Sequence, residues 1–156
     1  MELTSKHIER LLDDQLAVWD SARNNYQALE SVRVKEIPLG GCTVKVQFNP
    51  ARIVSSAAKV DTKSLKERKC FLCVENRPEV QHGLPDGEYT WLINPFPIFP
   101  KHFTIPVNRH TPQLIGSRFG DMLRLAHEAD DFVLFYNGPK CGASAPDHAH
   151  FQAGNK

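Results

Sequence analysis

Near its C-terminal end the sequence reads "FYNGPKCGASAPDHAHFQ", which sets His148, His150 and Gln152 at alternate positions behind a loop containing Gly138, Pro139, Gly142, Ser144 and Pro146. In a β-strand, residues two apart point to the same side, about 7 Å from one another. The spacing therefore predicts a row of His148, His150 and Gln152, with Asp147, Ala149 and Phe151 facing the other way. Glycine in the preceding loop lets backbone N–H groups turn inward and a ligand approach closely. Ser144 adds a hydroxyl. Backbone donors, a hydroxyl, imidazoles and an amide suit a phosphate ester better than a carbonyl.

Cys70 and Cys73 in "KCFLCVEN" have the two-residue spacing that lets both thiolates meet one zinc ion, and zinc is the expected cofactor. The competing reading is two half-buried thiols in a turn. A redox pair is disfavoured, because no thioredoxin-like βαβ pattern surrounds them. Cys42 is expected in the core and Cys141 in the phosphate-type loop. His7, His82 and His127 read as surface or helix-face residues.

These groups need elements to hold them. Ile8, Leu11, Leu12, Leu16, Trp19, Ala22, Tyr26 and Leu29 recur at three/four spacing and predict one amphipathic helix over Ile8–Leu29. Val32 and Val34, then Val44, Val46 and Phe48, alternate with polar residues on either side of "LGG", a β-hairpin signature. "ARIVSSAAKVDTKSLKERK" is expected as a loop with some helix. Strands are predicted over Tyr89–Ile93 and Phe103–Val107, separated by "NPFPIFP", which is too proline-dense for a central strand. A helix follows with Phe119, Met122, Leu123 and Ala126 on one face, then a buried strand in "DFVLFYN" and the motif strand. The class is α+β with a mainly antiparallel sheet.

Composition sets the outer bounds. Hydrophobic residues make up 41% of 156 residues and charged ones 24%, enough for one ordinary core. A net charge of +1, one CxxC pair and no basic stripe argue against a nucleic-acid partner. The order H-x-E then P-C-x-x-C of zinc deaminases is absent. No apolar run approaches the ~18 residues of a membrane helix, the N-terminus does not read as a signal peptide, and four cysteines without an export signal predict a cytoplasmic protein.

"NGPKCGASAPDHAHFQ" resembles the active-site segment of the histidine-triad superfamily, in the branch of galactose-1-phosphate uridylyltransferases, diadenosine tetraphosphate phosphorylases (ATP adenylyltransferases) and GDP-hexose phosphorylases. "FNPARI", "CFLC" and "NPFPIFPKHFTIPVNRHTPQL" fall in that family's order, so the resemblance spans roughly Val44 to the C-terminus and leaves the first helix outside. With residues 1–30 read from their periodicity as an N-terminal amphipathic helix, the resemblance implies a histidine-triad-like nucleotidyltransferase domain over 31–156, an antiparallel sheet with flanking helices whose fold is expected to continue beyond Lys156.

The chemistry the resemblance implies is nucleotidyl transfer through a nucleotidyl-histidine, on a nucleoside diphosphate sugar or a dinucleoside polyphosphate. His150 matches the nucleophile, Gln152 the amide on the phosphate oxygens, and Ser144 a phosphate or leaving-group contact. Asn49, Arg52, Asn137 and Gly142 match positions that hold nucleotide or phosphate. His110 and His148 would complete a zinc site with Cys70 and Cys73, with His102 competing for the place of His110. Histidine-triad hydrolases carry a third histidine where Gln152 stands. An imidazolium can protonate a poor leaving group and an amide cannot, so Gln152 favours transfer between phosphates. The alternatives are a zinc-containing nucleotide-binding module without turnover and a histidine-triad nucleotide hydrolase. The resemblance also allows a homodimer.

Overall fold

The computed structural model describes residues 3–52 and 59–155. The fold is α+β. A five-stranded antiparallel sheet contains β3 (Leu84–Asp86), β4 (Tyr89–Ile93), β5 (His102–Pro106), β6 (Phe132–Phe135) and β7 (His150–Asn155), in the order β3-β4-β5-β7-β6. The motif strand β7 thus lies inside the sheet, between β5 and β6. Among the described residues, no helix is long and apolar enough to cross a membrane.

The register divides the sheet into two faces. Phe103 and Ile105 of β5, Phe151 and Ala153 of β7, Trp91 and Ile93 of β4 and Phe132 of β6 belong to one core. Within it Trp91 meets Phe103 edge-on with ring centroids 6.0 Å apart, and Phe103 meets Phe132 at 5.3 Å. The opposite face carries His102, Thr104, His150, Gln152 and Phe135. Strand alternation therefore places apolar bulk on one side and the chemical groups on the other.

Two helices, α1 (Ser5–Val18) and α2 (Asp20–Gln27), cover the apolar face through Ile8, Leu12, Ala22 and Tyr26. The spacing predicted one helix, and the apolar positions fall on the core as expected. The helix breaks at Trp19, where φ is −111° and ψ 88°. The break frees carbonyls at the end of α1, and the Arg23 guanidinium satisfies two of them, Leu16 O at 2.9 Å and Ala17 O at 3.2 Å. Tyr26 Oη donates to His102 O at 2.8 Å, tying α2 to the start of β5.

The hairpin of β1 (Arg33–Leu39) and β2 (Cys42–Phe48) forms a separate two-stranded sheet. Gly40 and Gly41 have φ of 45° and 92°, as a two-residue turn with both central residues left-handed requires. The hairpin stands away from the core, so Cys42 is exposed rather than buried, and its Sγ lies 3.1 Å from Leu39 O. After β2, Pro50–Arg52 forms a single tight turn. Residues 53–58 of the loop predicted there lie outside the described residues. The short helix α3 (Thr62–Glu67) is capped by Asp61, whose carboxylate accepts from Ser64 N at 3.0 Å.

Helix α4 (Phe119–Glu128) forms where a helix was expected but buries a different face. Leu125 and Ala129 are buried and Met122 packs beside them, while Phe119 and Leu123 are exposed. The expected face is rotated by about one residue, which is 100° around a helix.

Candidate functional site: two linked histidine centres

The row predicted from His148 to Gln152 is not one strand. β7 starts at His150, and His148 sits in the turn before it. Both histidines are buried. Ala149 keeps the chain extended, with its N–H on Thr111 O at 2.6 Å and its carbonyl on Val107 N at 2.9 Å. His148 and Gln152 consequently serve two different clusters, with His150 between them.

The first cluster holds Cys70, Cys73, His110 and His148, whose donor atoms all lie within 4.8 Å of one another. Cys70 Sγ is 3.3 Å and Cys73 Sγ 3.5 Å from His148 Nδ1, and Cys73 Sγ is 3.2 Å from His110 Nδ1. Zinc bound tetrahedrally through two thiolates and two imidazoles would separate sulfur from nitrogen by about 3.5 Å, so the donor set fits the ion in type and spacing. His148 Nε2 lies 2.8 Å from Val107 O. A carbonyl only accepts, so Nε2 carries the proton and Nδ1 offers its lone pair to the cluster. Burial, then the neighbouring Cys70, pushes the Cys73 thiol up to about 11, which a cation between the sulfurs would reverse. The competing His102 is on the other side of His150 and takes no part in this cluster.

This cluster is braced against the glycine-rich loop. Arg68 donates to Ser144 O at 3.0 Å and Asp147 Oδ1 at 2.9 Å, while Asp147 Oδ2 is 3.8 Å from His110 Nε2. Cys70, Leu72 and Ala145 share a small apolar cluster. Ser144 is thus held through its carbonyl by Arg68. Gly142 is exposed, with φ of 89° and no atom within 4 Å of where a Cβ would lie.

The second cluster lies on the sheet. His150 Nδ1 is 2.8 Å from His148 O, so Nδ1 carries the proton and Nε2 is left with a lone pair. Burial lowers the pKa of His150, with the His148 carbonyl opposing, which favours the neutral ring. His102 is fully buried; Ile98 N–H donates to its Nδ1 at 3.2 Å, which leaves the proton on Nε2, 3.0 Å from Gln152 Oε1. The Gln152 carboxamide is therefore oriented with its NH2 group away from His102. Burial pushes His102 down to about 4, the Gln152 bond opposing and the Arg52 charge adding to the fall.

Asn49 and Arg52 follow the hairpin, and the Arg52 charge acts on His102. Asn49 Nδ2 donates to Pro97 O at 3.2 Å, while Asn49 Oδ1 and Arg52 Nε are buried without a partner among the described residues. Asn137 is placed by its main chain, its carbonyl accepting from Gln113 Nε2 at 3.0 Å. The structure thus pairs His102 with Gln152, sets the Arg52 charge within electrostatic reach of His102, and joins this cluster to the cysteines through the His148–His150 link. A surface hollow of about 450 Å³ lies at the far end of β7, lined by Glu9, Lys101, Asp131, Phe132 and Asn155. Lys101 and Glu9 pair there, and none of the histidine centres reaches it.

A family model described as a domain of unknown function, DUF4922, matches residues 11–155. The chain belongs to the DUF4922 family. The DUF4922 match takes in most of α1 as well as both histidine centres. No curated protein matches this DUF4922 chain. Among solved structures it is similar to yeast Ap4A phosphorylase Apa2 in complex with AMP, with a TM-score of 0.58 and 20% identity over 100% of this chain and 50% of that one. A second crystal structure of yeast Ap4A phosphorylase Apa2 aligns with a TM-score of 0.44 and 20% identity, over 89% of this chain and 47% of that one. The likeness to the first is one of fold, and the DUF4922 chain spans about half the length of the phosphorylase.

Gln113 and His102 carry parts of this geometry that the sequence did not announce. The sequence offered His102 only as a competitor of His110 for the metal, not as a partner of Gln152. Gln113 in "HTPQL" carried no signal, because its partners in the site are main-chain atoms of His150 and Asn137.

Proposed function

We propose that this protein is a nucleotidyltransferase of the phosphorylase kind, acting on dinucleoside polyphosphates or nucleoside diphosphate sugars through a nucleotidyl-histidine at His150. The observation that carries the reading is the pinned His150 ring. Its Nδ1 proton is committed to His148 O at 2.8 Å, which leaves the Nε2 lone pair as the nucleophile. The shared fold with a phosphorylase of diadenosine tetraphosphate supports the substrate class.

In the first step the Nε2 lone pair attacks the α-phosphorus. An N–P bond forms, the P–O bond to the leaving phosphate breaks, and the leaving oxygen keeps the electron pair. The His148 carbonyl, already hydrogen-bonded to Nδ1, stabilises the positive charge that develops on the ring. The NH2 group of Gln152 and the guanidinium of Arg52 are donors for the phosphoryl oxygens. In the second step an oxygen of the acceptor phosphate attacks the same phosphorus, and the N–P bond breaks with its pair returning to Nε2. Neither step demands an acid at position 152, because a phosphate leaving group is already a weak base.

Cys70, Cys73, His110 and His148 would hold a zinc ion with four protein ligands. That ion supplies a cross-link between the cysteine turn and the residue whose carbonyl orients His150. Through Arg68 and Ala145 the same cross-link would steady the loop of Gly142 and Ser144, where backbone donors and a hydroxyl suit a phosphate. The test of the proposal is intact-mass spectrometry for a nucleotide adduct on His150.

A further inference from the structure

β6 pairs with β7 only from Phe135↔Gln152 to Phe132↔Asn155. On that side His150 therefore has no strand partner, although its backbone N–H and C=O are buried and point there. Both are satisfied by one side chain. Gln113 Oε1 accepts from His150 N at 2.7 Å, and Gln113 Nε2 donates to His150 O at 2.9 Å and to Asn137 O at 3.0 Å. A carboxamide has the donor and acceptor of a peptide group, so Gln113 stands between His150 and Asn137, the residue two beyond β6 that would pair with His150 if the ladder continued in register.

The main chain of Gln113 extends the clamp. Its N–H donates to Pro146 O at 3.2 Å and its carbonyl accepts from Tyr136 Oη at 2.9 Å. Gln113 is only 1% exposed. One residue therefore fixes the backbone of His150, the end of the glycine-rich loop and the segment after β6.

We propose that Gln113 is the positioning residue of His150, holding the ring in the in-line position for attack on phosphorus by fixing its main chain from the side that β6 leaves open. The proposal rests on the reading of His150 as nucleophile. Gln113 touches no reacting atom in this scheme; it acts through the orientation of His150. A misplacement of about 1 Å at a reacting group costs on the order of 100-fold in rate.

Two variants of the full chain test it. Gln113→Leu keeps the approximate volume and removes all three carboxamide bonds. Gln113→Glu keeps the acceptor for His150 N–H and removes both bonds from Nε2. Amide hydrogen exchange at His150 is measured against Ala153 in the middle of β7, together with the single-turnover rate of adduct formation from diadenosine tetraphosphate.

Gln113→Leu is expected to exchange the His150 amide at least about 100-fold faster with Ala153 unchanged, and to slow adduct formation about 100-fold while half-saturation moves less than about twofold. Gln113→Glu is expected to keep the His150 amide protected and to recover about a tenth of the wild-type rate. Unchanged exchange at His150 in Gln113→Leu overturns the proposal, and so does fast exchange with a wild-type transfer rate. Should Gln113→Leu fail to fold, a wild-type transfer rate in Gln113→Glu overturns it. A wild-type protein that forms no adduct defeats the transfer reading instead, and the exchange measurement still decides whether Gln113 holds His150.

Discussion

His102 Nε2 lies 3.0 Å from Gln152 Oε1 across two neighbouring strands, and a main-chain N–H on the far side of the ring, from Ile98, settles which nitrogen carries the proton. The buried imidazole thereby decides which end of the Gln152 amide faces the site. His102→Leu is expected to slow nucleotidyl transfer by about 10- to 100-fold, the cost of losing a positioned donor. Gln152→Leu should cause a similar loss, and the double variant little more than either. Single-turnover rates of the four proteins measure the coupling, and losses that simply multiply would show that the two residues act independently.

The same ring gives the protein an acid-sensitive stability. Burial holds His102 down to about 4, whereas in the unfolded chain it titrates near 6.5. The unfolded state then binds more protons between these values, so this group's contribution is complete above pH 6.5 and is lost as pH falls toward 4. The loss is on the order of 3 kcal/mol at 1.36 kcal/mol per pH unit. Denaturant unfolding of wild type and His102→Leu at pH 7 and pH 4.5 checks it. The fall in stability on acidification should be smaller in the variant, and equal falls would contradict the assignment.

Metal removal should separate structure from chemistry. Protein purified without added zinc is expected to carry about one zinc per chain, and chelation should lower the melting temperature by more than about 10 °C. His148→Ala should lose both the metal and the stability. Less than about a tenth of an equivalent, with an unchanged melting point after chelation, would rule the metal centre out.

Gly142 offers a matched comparison with Gly41. Their φ values are 89° and 92°, and neither position has an atom within 4 Å of a Cβ. A valine at either site should cost about 1–3 kcal/mol of backbone strain. Gly142→Val alone should weaken nucleotide binding, measured by calorimetry with AMP. Equal binding by the two variants would reduce the Gly142 loop to a turn.

The readable parts of this fold were those whose physics is local. Tyr89–Ile93 is a strand because an apolar run sits between turn residues, and Cys70 and Cys73 face one another because two residues separate them. The helical period around Leu125 was legible, but its phase was not, since Phe119 and Leu123 are as apolar as the residues that face the sheet. Cys42 was misplaced for a related reason: alternation announces a strand without saying that the hairpin stands off the core. The break at Trp19 left no mark on the apolar period, and the Arg23 side chain that satisfies Leu16 O and Ala17 O there gave no sign of that role in the sequence. Gln113 was invisible because it recognises backbone atoms of residues 24 and 37 positions away. His148 and His150 were legible as a pair, but their division between two centres follows from where β7 begins.

Bonding of the His150 Nε2 lone pair to phosphorus can be read directly. Full-length protein, including any sequence beyond residue 156, is incubated at neutral pH with dinucleoside polyphosphates and nucleoside diphosphate sugars, quenched in base, and examined by intact-mass spectrometry and peptide mapping. A mass gain of one nucleotide is expected on His150, labile in acid and stable in base as an N–P bond should be, and absent from His150→Ala. Turnover of substrate without an adduct, or an adduct on any other residue, would contradict it.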